Sequence, residues 1–131
     1  MDDKVRQFLE KNHAAAMVTL KKDGSPHVAR VSIALVNGKL WSSGTQTRLR
    51  TKYLRRDPRC TLCVFEQHGW GWLGLETRVA ILEGPDAPMQ NLWLHRITDG
   101  EPPDVEKYLR EKVEQQRLIY EFEITKAYGQ Y

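Results

Sequence analysis

His27-Val28-Ala29-Arg30-Val31-Ser32-Ile33-Ala34-Leu35-Val36-Asn37-Gly38-Lys39-Leu40-Trp41-Ser42-Ser43-Gly44 is the stretch that decides the fold. Its residues alternate. Ala29, Val31, Ile33 and Leu35 fall on one face of a strand, and Val28, Arg30, Ser32 and Ala34 on the other. The first face is a pure core face, whereas the second sets polar groups among small residues. Asn37-Gly38 is a strong hairpin signal because both positions of a tight primed turn tolerate positive φ. The chain therefore returns antiparallel over 39–44.

Similar signals extend outward. Upstream, 14–21 reads as a strand that leads into an Asp23-Gly24 turn, and Asp2 or Asp3 can cap a first helix ending near Asn12. Downstream, a helix is expected over 45–56, stopped by Asp57-Pro58, and then a strand over 59–66. Residues 70–83 are long enough for one bent strand, with Gly71 and Gly74 as bulge points. A helix follows over 87–98, where Met89, Leu92, Trp93 and Ile97 lie at helical spacing and Trp93 is expected in the core. Asp104 can cap another helix from Val105 to about Gln115, and a final strand covers 117–125. The expected fold is mainly β, one domain over 1–131, with about six mostly antiparallel strands that form either a sandwich or a barrel with flanking helices.

A chain of 131 residues can bury a core without a metal or a disulfide. No apolar run approaches the roughly 20 residues of a membrane span, and the start Met1-Asp2-Asp3-Lys4 is acidic where a secretory leader is basic. A cytoplasmic protein without a membrane partner is expected. Net charge is only +3, too mild to argue for nucleic acid. Cys60 and Cys63 are spaced C-x-x-C, but residues three apart on a strand point to opposite faces, so they read as two small apolar side chains. No metal site is expected.

Between Gln46 and Arg59 the charge is anomalous. Arg48, Arg50, Lys52, Arg55, Arg56 and Arg59 stand against a single acid, Asp57. Ser42, Ser43, Thr45 and Thr47 lead into this segment. Cations in a first helical turn oppose the helix dipole, and a bound phosphate removes that conflict. Guanidinium forks, hydroxyls and free N–H groups together suit such an anion.

The segment Arg48-Leu49-Arg50-Thr51-Lys52-Tyr53-Leu54-Arg55-Arg56-Asp57-Pro58-Arg59 closely resembles the R-x-K/R-x-x-N-L-x-x-D-P-R element of the pyridoxamine-phosphate-oxidase-like split barrels. It is most similar to the actinobacterial branch that uses the deazaflavin coenzyme F420. Ala16-Met17-Val18-Thr19-Leu20 with Asp23-Gly24-Ser25-Pro26-His27-Val28 resembles the family's opening, and Gly69-Trp70-Gly71-Trp72-Leu73-Gly74-Leu75-Glu76 its long strand. The closing strand with Tyr128-Gly129 completes a likeness that spans the chain. Thr77 departs from the family's glycine and Tyr53 from its asparagine. The C-terminal W-x-x-x-R-L used by pyridoxamine phosphate oxidases for substrate is absent, which argues against vitamin B6 oxidation.

The resemblance implies a six-stranded split β-barrel that forms an intertwined homodimer with cofactor sites at the subunit interface. It places the cofactor phosphate on Arg48, Arg50 and Lys52, with Ser43 and Thr47 nearby. It lays the ring system along Arg30, Val31 and Ser32 against Ser42, with the partner subunit approaching from the strand of Trp72, an aromatic side chain that can line the cofactor pocket. The implied reaction is hydride transfer to a small conjugated or electron-poor acceptor, with F420 as cofactor or FMN as the alternative. Arg55, Arg56 and Arg59 lean toward the longer anionic tail of F420. No catalytic residue is assigned; His27, His68 and Tyr53 qualify only by chemistry. Two other readings are a cofactor carrier without turnover and an anion- or nucleic-acid-binding barrel that stacks bases on Trp41 or Trp72.

Overall fold

The computed structural model describes residues 1–131. In chain order the elements are α1 (Asp3–Lys11), β1 (Ala14–Leu20), β2 (Pro26–Ser32), β3 (Ala34–Val36), β4 (Lys39–Thr45) and α2 (Leu49–Arg56). They continue with β5 (Arg59–Phe65), β6 (Trp72–Leu82), α3 (Ala87–Thr98), α4 (Val105–Glu114) and β7 (Arg117–Gln130). Asp2 caps α1 by accepting from the Lys4 and Val5 N–H groups, and Asp104 caps α4 by accepting from Lys107.

There are seven strands rather than the six expected, because the stretch over 27–36 is divided at Ile33. Backbone pairing explains the break. The Ile33 N–H donates to the His13 carbonyl (2.8 Å), and the Ile33 carbonyl faces His13 Nδ1 (2.9 Å). Upstream of this point the chain pairs with β1; downstream it pairs with β4. The facing read from the sequence survives the break: Val31 and Ile33 are in the main core, with Leu35 packed on it. Ala34 and Val36 point the other way, into a second cluster with Trp41, Leu94 and Ile119.

All strand pairs are antiparallel, in the order β2-β1-β5-β6-β7-β4-β3. The first and last strands of this series are consecutive in sequence and separated only by Ile33. Laid flat, seven strands would set the edges about 29 Å apart. One intervening residue spans at most about 7 Å. The sheet must therefore curl until its edges meet. At the seam no ladder forms, and the Ser42 hydroxyl bridges to the Ser32 carbonyl at 2.8 Å. The result is a split barrel packed with Leu62, Leu73, Leu75, Leu118 and Tyr120, all fully buried.

Other expectations are corrected. The bulge is in β7, where Thr125 is the extra residue opposite Glu76 and Thr77 of β6, and not at Gly71 or Gly74. Gly71 precedes the strand and donates its N–H to Glu66, while Gly74 leaves room for the Tyr128 ring. The last strand continues to Gln130 rather than ending at Thr125. Trp93 is 41% exposed, as α3 buries Ala87, Asn91, Leu92 and Leu94 instead, and it stacks on Trp41 with the rings 6.5 Å apart. Cys60 faces the core and Cys63 the opposite side; both thiols are free. No helix is long and apolar enough to cross a membrane.

Candidate functional site

Three elements converge at the seam: the outer edge of β2, the end of β4, and the start of α2. The turn from α4 into β7 adds a fourth wall. The helix begins four residues later than its sequence pattern suggests. Arg48 is the N-cap residue, while Thr45 completes β4 and sits opposite Arg117 of β7. Arg48 makes no capping hydrogen bond through its side chain, and no acid stands in the first turn. The Leu49 and Arg50 N–H groups have no acceptor within the chain. Positive potential therefore accumulates at this helix start without an internal partner.

Arg50 reaches inward from the first turn. Its guanidinium lies over the Tyr120 ring, 5.7 Å from the centroid, and its buried Nε has no hydrogen-bond partner. Burial lowers its pKa, and Arg48 and Arg117 push it further down against the attraction of Tyr120. Arg117 is lowered in the same way, by burial first and then by Arg48. None of these three arginines has a carboxylate partner. Three guanidiniums that repel one another at a half-buried site have the charge and donor geometry that suit an anion.

Tyr120 is the platform under Arg50. It is fully buried, and its hydroxyl bonds Thr51, whose own hydroxyl donates to the Thr45 carbonyl at 2.6 Å. Gly44 belongs to the same unit, because a methyl group there would overlap the Tyr120 ring.

Two cavities share Arg50 and Arg117. One, of about 690 Å³, is lined by His27, Thr47, Arg48 and Leu49 among others. The second, of about 280 Å³, lies between the seam and the α3–α4 hairpin, and Arg30, Val31, Ser32, Ser42 and Ser43 line it. The expected site residues Arg30, Val31, Ser32, Ser42, Ser43, Thr47, Arg48 and Arg50 thus line two cavities that adjoin at Arg50 and Arg117. Lys52 and Trp72 do not. Lys52 points to solvent one helical turn beyond Arg48. Trp72 lies on β6, three strands from β2, with its ring edge-on to Tyr128.

Several contributors escaped the sequence reading. Asn91 of α3 is 2% exposed; it accepts from the Ser43 hydroxyl and donates to the Ala87 carbonyl at 2.9 Å. Arg117 approaches Ser43 at 3.4 Å and is steadied by Gln115 at 2.9 Å. Tyr108, Lys112 and His95 complete the helical wall. Arg117 carries no local signal, because the β4–β7 pairing that brings it to the groove is invisible in the sequence around it.

Other basic residues are engaged elsewhere. Arg55 holds Glu83 at 2.6 Å and Gln46 at 2.7 Å, and Arg59 holds Asp57 at 2.8 Å. Arg56 donates to the Leu20 carbonyl and covers the Tyr53 ring. Local acids and a carbonyl engage these three, and none of them lines either cavity. Trp41 is 6% exposed and donates to Glu121, so it cannot stack a base. His27 lines the larger cavity; Tyr53 and His68 line neither.

The Arg55–Glu83 pair makes a testable point about acid stability. Hydrogen bonds from Arg55 and then Gln46 hold the Glu83 carboxyl at about 2, below its ordinary 4.5. A carboxyl lowered on folding adds stability above about 4.5 that is lost as pH falls toward about 2. Glu83→Gln is expected to flatten the acid limb of the Tm–pH curve in that window. The effect should be small because the pair is exposed. Superimposable acid limbs would show that the pair contributes nothing.

The fold is an antiparallel barrel split along one seam, with an arginine-lined groove opening there between a sheet edge and a helix start. The chain belongs to the pyridoxamine 5'-phosphate oxidase family, whose model matches residues 1–131. It is 27% identical over 135 residues to an F420H(2)-dependent biliverdin reductase of Mycobacterium tuberculosis (strain CDC 1551 / Oshkosh), covering 98% of this chain and 88% of that protein. Among solved structures it resembles the conserved hypothetical protein Rv2991 from Mycobacterium tuberculosis, with a TM-score of 0.82, 18% identity, and coverage of 99% of this chain and 84% of the other. A solved F420 reductase gives a TM-score of 0.75 at 19% identity and covers 98% of both chains. These structural likenesses establish the split-barrel fold.

Proposed function

We propose that this chain is an F420H2-dependent oxidoreductase acting on a small conjugated or electron-poor acceptor. The observation that carries the reading is the convergence of Arg48, Arg50 and Arg117 on an unsatisfied helix start beside an open sheet edge. The orphaned Arg50 Nε and the lack of a carboxylate ion-paired with Arg48, Arg50 or Arg117 fit a phosphorylated cofactor. The F420H(2)-dependent relative supports the deazaflavin as the cofactor.

In this reading Arg48 and Arg50 hold the phosphate, with Thr47 beside them and Ser43 on the adjoining wall. Arg30, Val31 and Ser32 form the floor for the ring system, and Ser42 fixes the seam against it. Bound there, the reduced deazaflavin would supply the hydride. The chain's part is to orient the ring, neutralise the phosphate and keep water from one side of the groove. We also propose that the chain acts in the cytoplasm as a homodimer. Trp70, 95% exposed at the tip of the β5–β6 hairpin, supports an apolar contact there, and self-association would give Trp72 a route to the partner's groove. FMN is the alternative cofactor, since the same helix start accepts a single phosphate.

Fluorescence titration separates the two. F420 is expected to bind with a Kd in the micromolar range or below, and more tightly than FMN. Tighter FMN binding would transfer the reading to a flavin enzyme, and saturation by neither would overturn it. Hydride transfer from bound F420H2 then separates an enzyme from a carrier.

A further inference from the structure

Beyond the smaller cavity the floor of β2 continues into a wider groove of about 840 Å³. Arg30, Val31, Ser32 and Thr98 line both spaces. His13, Phe65 and Glu66 stand on the far side of the groove. Ligand pockets run to about 300–1,000 Å³. The smaller cavity, at about 280 Å³, is therefore taken up by one ring system. The wider groove has room for a molecule that reacts with that ring across the shared strand.

His13 lies in the turn between α1 and β1, one residue before the Ala14–Ser32 pair that ends the β1–β2 ladder. The Ile33 N–H donates to its carbonyl at 2.8 Å, and its Nδ1 donates to the Ile33 carbonyl at 2.9 Å. The preceding Asn12 is buried and accepts from the Gln67 N–H at 3.0 Å, which ties the turn to the chain after β5. A carbonyl only accepts, so Nδ1 keeps its proton in both the neutral and the charged ring. The proton that comes and goes is therefore the one on Nε2. That atom has no partner in the protein and is not sealed from solvent. The charged groups on the same lining are Arg30 of β2 and Glu66 after β5. Glu66 accepts from the Gly71 N–H at 2.7 Å, and Thr98 of α3 turns its hydroxyl onto Asp99 at 2.7 Å. A guanidinium does not give up its proton, and a carboxylate has none to give. His13 is thus the one side chain on this lining suited to proton transfer.

We propose that His13 is the proton donor of the reaction, giving its Nε2 proton to the acceptor after hydride addition. This inference rests on the proposed reductase function and adds the acid that function needs. For an enone acceptor the step balances as follows. The C=C π bond breaks, a C–H bond forms from the hydride at the β-carbon, and the displaced electron pair rests on the carbonyl oxygen as an enolate. The α-carbon then bonds the Nε2 proton, and the N–H electron pair stays on the imidazole. Water returns a proton to Nε2 through the open side of the groove. One proton lost from the reduced cofactor to water in the same turnover balances the one regained.

The test uses the F420-loaded protein and 2-methylcyclohex-2-enone, whose reduced product is chiral at the carbon that takes the proton. The wild-type protein is expected to give one hand of the product in excess. His13→Asn keeps an amide N–H for the Ile33 carbonyl and leaves nothing at the Nε2 position. It should bind F420 with an unchanged Kd, which also reports that it folds, give racemic product, and slow single-turnover reduction by about a hundredfold or more. Nitrogen NMR of the free wild-type protein should show Nδ1 protonated in the neutral His13 ring and Nε2 as the atom that titrates. A neutral ring protonated on Nε2, or racemic product from the wild-type protein, overturns the assignment. Unchanged handedness in His13→Asn overturns it too, even with slower turnover, because His13 would then only brace the turn. So does an enone left unreduced while F420H2 is bound. Failure of the wild-type protein to bind F420 is a separate result, because it removes the reductase function itself.

Discussion

Arg50→Ala is expected to weaken F420 binding by about 1.5–3 kcal/mol, roughly ten- to a hundredfold in Kd. The guanidinium is already desolvated by its place on Tyr120, and its Nε has no internal partner. Its unfavourable burial is therefore a cost in the free protein that a phosphate would offset. Removing it relieves strain in the free state as well, so the variant should be no less stable to urea than the parent. The check is a fluorescence titration of both proteins at one ionic strength, since contacts of this kind weaken with salt. An unchanged Kd would show that the phosphate is held elsewhere. Arg55→Ala serves as the contrast: its side chain is committed to Glu83 and Gln46, and affinity should hardly move.

Tyr120→Ala carries the largest expected stability loss, about 3–5 kcal/mol. The ring is fully buried in the barrel, and its hydroxyl is tied to Thr51 and through it to Thr45. Truncation leaves a cavity between β7 and α2 and removes the surface on which Arg50 rests. Urea denaturation measures the first effect and cofactor titration the second. Loss of stability with normal F420 affinity would mean that the Arg50 position does not depend on this platform. A loss below about 1 kcal/mol would mean that the barrel collapses around the gap.

Much of the fold was legible because its signals are local. The Asn37-Gly38 turn, the Asp2 and Asp104 caps and the alternation over 27–36 each depend on neighbours in sequence, and each appears in the structure. The errors arise where tertiary pairing overrides the local pattern. Ile33 breaks a well-patterned strand because His13, 20 residues away, takes its backbone groups. Trp93 has core chemistry and helical spacing, yet α3 turns the Asn91 and Leu94 side inward because Ser43 and the Ala34 cluster need those partners. The basic run showed where charge gathers. It could not show that Arg55 and Arg59 are spent on Glu83 and Asp57, or that Arg117 arrives from β7 to replace them. Half of the candidate site was therefore visible as a motif, and the other half exists only through long-range register.

The seam at β2 has one more implication. A strand at the end of a ladder series keeps a row of amide and carbonyl groups outside any ladder, and here Ser42 takes only the Ser32 carbonyl. Here that row forms a wall of the groove. Any planar heterocycle with alternating donors and acceptors along its rim could be read by main-chain atoms alone, much as an added strand would be. Recognition written in the polypeptide backbone does not change when side chains do, so this margin could keep its grip on a common ring while the α3–α4 wall diverges around different reaction partners.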